Sequence, residues 1–175
     1  KRKNIKESIK EYFFTNPTGK MRVRHIEKAL KLPLPSVIRY CKELEQEGIL
    51  KTTRIGNVVF YTADRGNERF LLEKKVWNIR QLYVSGLVEH LKVNAYNPTI
   101  IVFGSYAKGE DVENSDIDVY IETTKKDIDI SKFEKVLNRK IQMFVYTTIR
   151  EVKNSHLANN MINGVVLNGF LEVFK

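Results

Sequence analysis

Residues 99–121 constrain this chain more than any other stretch. An apolar run, Thr99-Ile100-Ile101-Val102-Phe103, ends at Gly104-Ser105; ten residues later Asp116-Ile117-Asp118 opens a second apolar run, Val119-Tyr120-Ile121. Short β-branched runs bounded by Gly and polar clusters predict buried strands over residues 99–103 and 116–121. A residue without Cβ at the end of the first strand lets the backbone approach a ligand. The N–H groups and hydroxyl that open the short helix expected at 104–109 can hold phosphate oxygens. On the second strand Asp116 and Asp118 project from one face, about 7 Å apart along the backbone, while Ile117 and Val119 face the core. Two carboxylates so placed can converge on one hard cation. Mg²⁺ takes oxygen ligands and is commonly held by one or two carboxylates together with substrate phosphates. A phosphate-holding turn opposite paired acids therefore implies a metal-bound nucleoside triphosphate.

Composition narrows the alternatives. Cys41 is the only cysteine, which excludes an intrachain disulfide and a Cys-based zinc site, and His25, His90 and His156 lie too far apart for a metal motif. Any metal is expected on oxygen. With 42% hydrophobic residues a packed core is expected rather than wholesale disorder. No apolar run approaches the ~18 residues of a membrane span, and no apolar signal core follows the basic N-terminus, so the chain is expected to be soluble and cytoplasmic. Cys41, Trp77 and Tyr83 read as packing residues.

The charge is divided unevenly. Residues 1–65 carry 15 Lys and Arg against 7 Asp and Glu, a net +8, whereas residues 66–175 carry 15 against 14, a net +1. The asymmetry predicts that the N-terminal segment faces a polyanion while the rest does different work. Ile5, Ile9, Tyr12 and Phe13 recur at helical spacing until Asn16-Pro17-Thr18-Gly19 stops the run, and a second helix is expected at 23–30. Pro35 suits the first turn of a third helix, on which Val37, Ile38, Cys41 and Leu44 form the buried stripe and Gly48 ends it. Two β-prone runs, 50–55 and 58–62, flank Gly56-Asn57, a pair suited to a hairpin turn. Three helices and a hairpin are the order of a winged helix-turn-helix. Ser36, Arg39 and Tyr40, opposite the stripe, could then meet a major groove, with Arg54 on the hairpin and Lys1, Arg2 and Lys3 near phosphates.

One long helix is predicted over residues 68–92, ending at the loop 94–98. After the paired acids come a helix at 130–137, a strand at 140–146 and helical segments at 147–152 and 156–167. The expected class is α+β: a winged helix-turn-helix domain (1–65), a connecting helix and loop (66–97) and a small mixed-sheet domain (98–175). The long helix is also a candidate homodimer seam.

The run from Gly104 to Asp118, read as G-S, ten residues, D-x-D, with Ser105-Tyr106-Ala107-Lys108-Gly109 after the turn and Ser115 before the first acid, resembles the minimal nucleotidyltransferases of the DNA polymerase beta superfamily. The resemblance implies that Gly104 and Ser105 bind the triphosphate, that Asp116 and Asp118 are catalytic and bind Mg²⁺, and that a nucleoside monophosphate, with ATP the expected donor, is transferred with loss of pyrophosphate. Lys108 is a candidate phosphate contact, though a solvated lysine is the blander reading. Some members of the resembled family are antitoxins that transfer AMP onto a helical HEPN-type protein and others modify small molecules such as aminoglycosides; a protein acceptor is the preferred expectation, because this short domain has no obvious extra segment to build a small-molecule pocket. Duplex DNA is the expected partner of the basic segment, and RNA is the competing one.

One residue departs from the family pattern. Where a third carboxylate usually stands on the next strand, this chain has Gln142, a neutral group that cannot act as a base. Glu122 is no substitute, since it lies about 13 Å from Asp118 along an extended strand. The rival expectation is therefore a DNA-binding regulator whose second domain only binds nucleotide or dimerises.

Overall fold

The computed structural model describes residues 4–125 and 127–174 of the chain, so the basic Lys1, Arg2 and Lys3 fall outside the described residues. The chain forms two compact units, residues 1–74 and 75–175.

The first unit holds helices α1 (Ile5–Thr15), α2 (Val23–Leu30) and α3 (Leu34–Gln46) and the hairpin β1 (Leu50–Ile55) and β2 (Val58–Ala63). Asn4 starts α1 by accepting the Lys6 N–H at 3.0 Å, the side-chain cap that an N-terminus needs. Ile9 and Phe13 of α1, Ile26 of α2, and Val37, Cys41 and Leu44 of α3 are fully buried. Burial pushes the Cys41 thiol up to about 12, so it packs as an apolar group. Ile38 is corrected: it is 38% exposed, a step away from the Val37–Cys41–Leu44 stripe. The hairpin pairs Leu50 with Ala63 and Ile55 with Val58 around Gly56, whose φ is +58°. Met21 bridges to Tyr61, tying the α1–α2 connection to β2.

The predicted 68–92 helix is two helices, α4 (Glu68–Val84) and α5 (Leu87–Asn94). The break falls at Ser85-Gly86: Gly86 has φ +82°, and Ser85 Oγ donates to Leu82 O at 3.1 Å and accepts from Leu87 N at 3.3 Å. A left-handed glycine stops a helix even where the apolar spacing continues.

The second unit continues with β3 (Thr99–Phe103), α6 (Gly104–Lys108), β4 (Ile117–Glu122), α7 (Ser131–Leu137), β5 (Ile141–Tyr146), a 3-10 turn at Ile149–Glu151, α8 (Ser155–Ile162) and β6 (Val165–Asn168). The β4 strand starts one residue later than predicted, leaving Asp116 just ahead of it. Residues 165–167, expected as the end of a helix, belong instead to the edge strand Val165–Asn168. Gly164 permits it: a Cβ there would come within 2.6 Å of Val102 O and Ile101 Cγ2, and Val165-Val166 favours strand.

The sheet is mixed, in the order β5-β4-β3-β6, with β4 and β5 parallel and the other pairs antiparallel. One face carries Ile100, Val102, Ile117, Val119 and Ile121 against Leu87, Val88 and Leu91 of α5 and Phe133 of α7. The other carries Ile101, Phe103 and Tyr120 against Met161 of α8. Among the described residues, no helix is long and apolar enough to cross a membrane.

Candidate functional site

The antiparallel register of β3 and β4 pairs Phe103 with Asp118, which sets the turn that ends β3 beside the start of β4. Gly104 has φ +74°, and a Cβ built on it would collide with Asp118 Oδ2. The missing side chain is thus the space that the carboxylate occupies, and the backbone that opens α6 lies directly against an acid. Ser105 and Gly104 are half-buried. Ser105 O accepts the Glu110 N–H at 3.0 Å, closing the short helix.

Asp118 is half-buried and Asp116 exposed. Burial first, and then repulsion from the Asp116 charge, hold the Asp118 carboxyl above the usual aspartate range. The two acids therefore feel each other, and a cation between them would relieve both the desolvation and the repulsion. Among the described residues, no cluster of three or more His, Cys, Asp or Glu forms, so a cation held here by the protein would have two carboxylates, Asp116 and Asp118, as its side-chain donors. That set fits a hard divalent cation which takes its other ligands from phosphates and water.

Parallel pairing of β4 with β5 sets Gln142 opposite Asp118. Paired residues in adjacent strands share a face, so Gln142 occupies the neighbouring position on the acid face and is exposed. Glu122 pairs with Thr99 at the far end of the sheet and accepts the Ile149 N–H at 3.3 Å, away from the aspartates.

Lys108 is exposed and lines a cleft of about 80 Å³ with Lys75, Gly104, Asn160 and Asn163. Asp116 opens on a wider groove of about 690 Å³, bordered by Asn114, Ser131, Lys135 and Lys140. In the first unit, Arg39 and Arg54 are exposed and Ser36 and Tyr40 half-buried. The Arg39 guanidinium lies over the Tyr40 ring at 4.4 Å, and Arg54 sits on β1 opposite Val59.

Sequence reasoning missed a buried polar network beside the site. Asp111 accepts from Asn78 Nδ2 at 2.7 Å and from Arg139 Nη2 at 3.2 Å. Lys75 was also missed. Neither carries a local spacing signal, because α4 is distant in sequence from the turn that it meets.

Neither the curated proteins nor the solved structures give a match to this chain. Residues 87–168 match the family model described as Polymerase beta, Nucleotidyltransferase. The matched segment takes in the glycine-serine turn and both aspartates, and it supports the DNA polymerase beta superfamily and a function of the nucleotidyltransferase type for this part of the chain.

Proposed function

We propose that the second unit binds a magnesium-bound nucleoside triphosphate, with ATP the expected donor, and transfers the nucleoside monophosphate to an acceptor. The observation that carries this reading is the packing of the Asp118 carboxylate against the Gly104 backbone, with Asp116 close enough to raise its pKa. In this account the Gly104 and Ser105 N–H groups and the Ser105 hydroxyl orient the phosphates, while Asp116 and Asp118 hold Mg²⁺. The cation supplies charge neutralisation at the transferred phosphoryl group. Lys75 and Lys108 stand beside the same turn and would add positive charge toward a polyphosphate. The groove beside Asp116 gives an acceptor a route to the reacting phosphorus. A protein acceptor is the preferred one; a helical HEPN-type protein, the acceptor of some members of the resembled family, would make the chain antitoxin-like.

The first unit is read as a winged helix-turn-helix that binds duplex DNA. The order of three helices and a hairpin, the Met21–Tyr61 bridge and the exposed Arg39 and Arg54 support this, as does the +8 charge of residues 1–65.

A second reading is favoured by Gln142, which stands beside Asp118 where an acid would complete the site: a DNA-binding regulator whose second unit binds nucleotide or dimerises without turnover. Incubating the full chain with labelled ATP, Mg²⁺ and candidate partner proteins separates the two. Labelled partner or released pyrophosphate supports the transferase; binding with neither supports the regulator.

A further inference from the structure

The segment from α6 to β4, residues 109–116, has no regular secondary structure, yet its Asp111 is 1% exposed. Both oxygens of that carboxylate are held: Oδ1 by Asn78 Nδ2 at 2.7 Å and Oδ2 by Arg139 Nη2 at 3.2 Å. The Arg139 side chain is 9% exposed. Its Nη1 also donates to Val112 O and, at 3.3 Å, to Ser115 O, the carbonyl immediately before Asp116. Asn78 Nδ2 reaches the other end of the segment, donating at 2.8 Å to Tyr106 O, one residue beyond Ser105. One buried network thus grips the backbone just after the glycine-serine turn and just before the first acid, with Asp111 as the shared node.

Asp116 depends on such a grip. It precedes β4, whose attachment begins with Ile117 N donating to Lys140 O at 2.8 Å, so the strand holds it from one side only. On the other side stands the Ser115 carbonyl held by Arg139. The planar guanidinium is what allows one side chain to serve Asp111, Val112 O and Ser115 O together; a lysine ammonium has no such fork. The amide of Asn78 is oriented by its two acceptors, and this leaves its Oδ1 buried with no donor among the described residues, a cost to stability that the network carries.

We propose that Arg139, together with Asn78 and Asp111, is a positioning residue for the metal site, fixing Asp116 relative to the Gly104-Ser105 turn so that metal and triphosphate are bound as one unit. The inference rests on the reading of the acids as metal ligands given above. It differs from a purely structural role, because a network that only stabilised the fold would affect metal-free and metal-dependent binding alike.

The test uses the full chain, a non-hydrolysable fluorescent ATP analogue, and titrations in EDTA and in MgCl₂, with thermal unfolding of each sample. For Arg139→Lys, affinity in EDTA is expected to stay within about twofold, while the Mg²⁺ concentration giving half of the enhancement rises about ten- to a hundredfold, the usual cost of losing a partner that orients a metal ligand. An unchanged Mg²⁺ midpoint, or equal losses with and without Mg²⁺, overturns the inference. Should Arg139→Lys show no cooperative unfolding, Asn78→Ala serves instead. It removes the bonds to Tyr106 O at 2.8 Å and to Asp111 Oδ1 at 2.7 Å together with the buried unpaired Oδ1, and a rise of about fivefold in the midpoint is expected; no rise overturns the inference. A wild-type protein in which Mg²⁺ has no effect on nucleotide binding removes the metal-site reading and this inference with it. A wild-type effect left intact in the variant removes this inference alone.

Discussion

The carboxylate of Asp118 fills the space that a side chain on Gly104 would need, so the turn that ends β3 and the acid near the start of β4 form one surface. Gly104→Ala is therefore expected to lose nucleotide binding and to destabilise the protein by about 1–3 kcal/mol through its left-handed backbone alone. The collision adds to that cost. Part of it is relieved by Asp118→Ala, so the two substitutions together should destabilise less than the sum of each alone, as measured in urea unfolding.

The Asp118 carboxylate is held at a cost to stability. Its carboxyl is held above the ordinary aspartate value of 3.8 by burial and by Asp116. The stabilising contribution of the protonated form is complete below that ordinary value and is lost as the pH rises through the elevated one. In EDTA at neutral pH, Asp118→Asn is thus expected to unfold at a higher temperature than the wild type, with the gap closing on acidification toward pH about 3.5, below the ordinary aspartate range. Asp116→Asn should stabilise in the same direction by removing the repulsion. A wild-type protein more stable than Asp118→Asn at neutral pH in EDTA would contradict the electrostatic account.

Gln142 shares its register position and its face with Asp118. Gln142→Asp supplies the acid that the strand lacks. Release of pyrophosphate from ATP and Mg²⁺ is expected to rise about a hundredfold, within the range that a positioned base contributes. The added charge should also lower the unfolding temperature in EDTA. No gain in release would show that the missing acid is not what limits turnover.

Arg39 and Arg54 are exposed on α3 and β1. Replacing either with Ala in the full chain is expected to weaken duplex DNA binding and to reduce the slope of log affinity against log salt by about 1 for each phosphate that the protein no longer neutralises. Equal or tighter binding of structured RNA at matched ionic strength would redirect the first unit to RNA.

How much of this is legible in the sequence depends on the range of the signal. Gly104-Ser105 and the two aspartates are joined by one strand–turn–strand passage, so their residue types and spacing carry the geometry. Gln142 can be placed beside Asp118 because β5 follows as a recognisable apolar strand. Asn78, Asp111 and Arg139 give no such signal: their bonds join residues 28 and 33 positions apart, and nothing in an isolated Asn or Arg announces a partner at that distance. The break at Ser85-Gly86 is written in a turn-forming pair, but the apolar periodicity running through it gives the stronger local pattern. The edge strand Val165–Asn168 reads as helix in the sequence because four residues are too few to separate the two periods; the close approach of Gly164 to Val102 decides the matter only in three dimensions.

The most direct test of the account is calorimetric titration of the full chain with a non-hydrolysable ATP analogue, with and without Mg²⁺, for the wild type and for the double substitution Asp116→Asn with Asp118→Asn. The expected result is Mg²⁺-enhanced binding in the wild type and loss of that enhancement in the variant, which should remain folded. Equal enhancement in both proteins would contradict the assignment of the two aspartates to the metal.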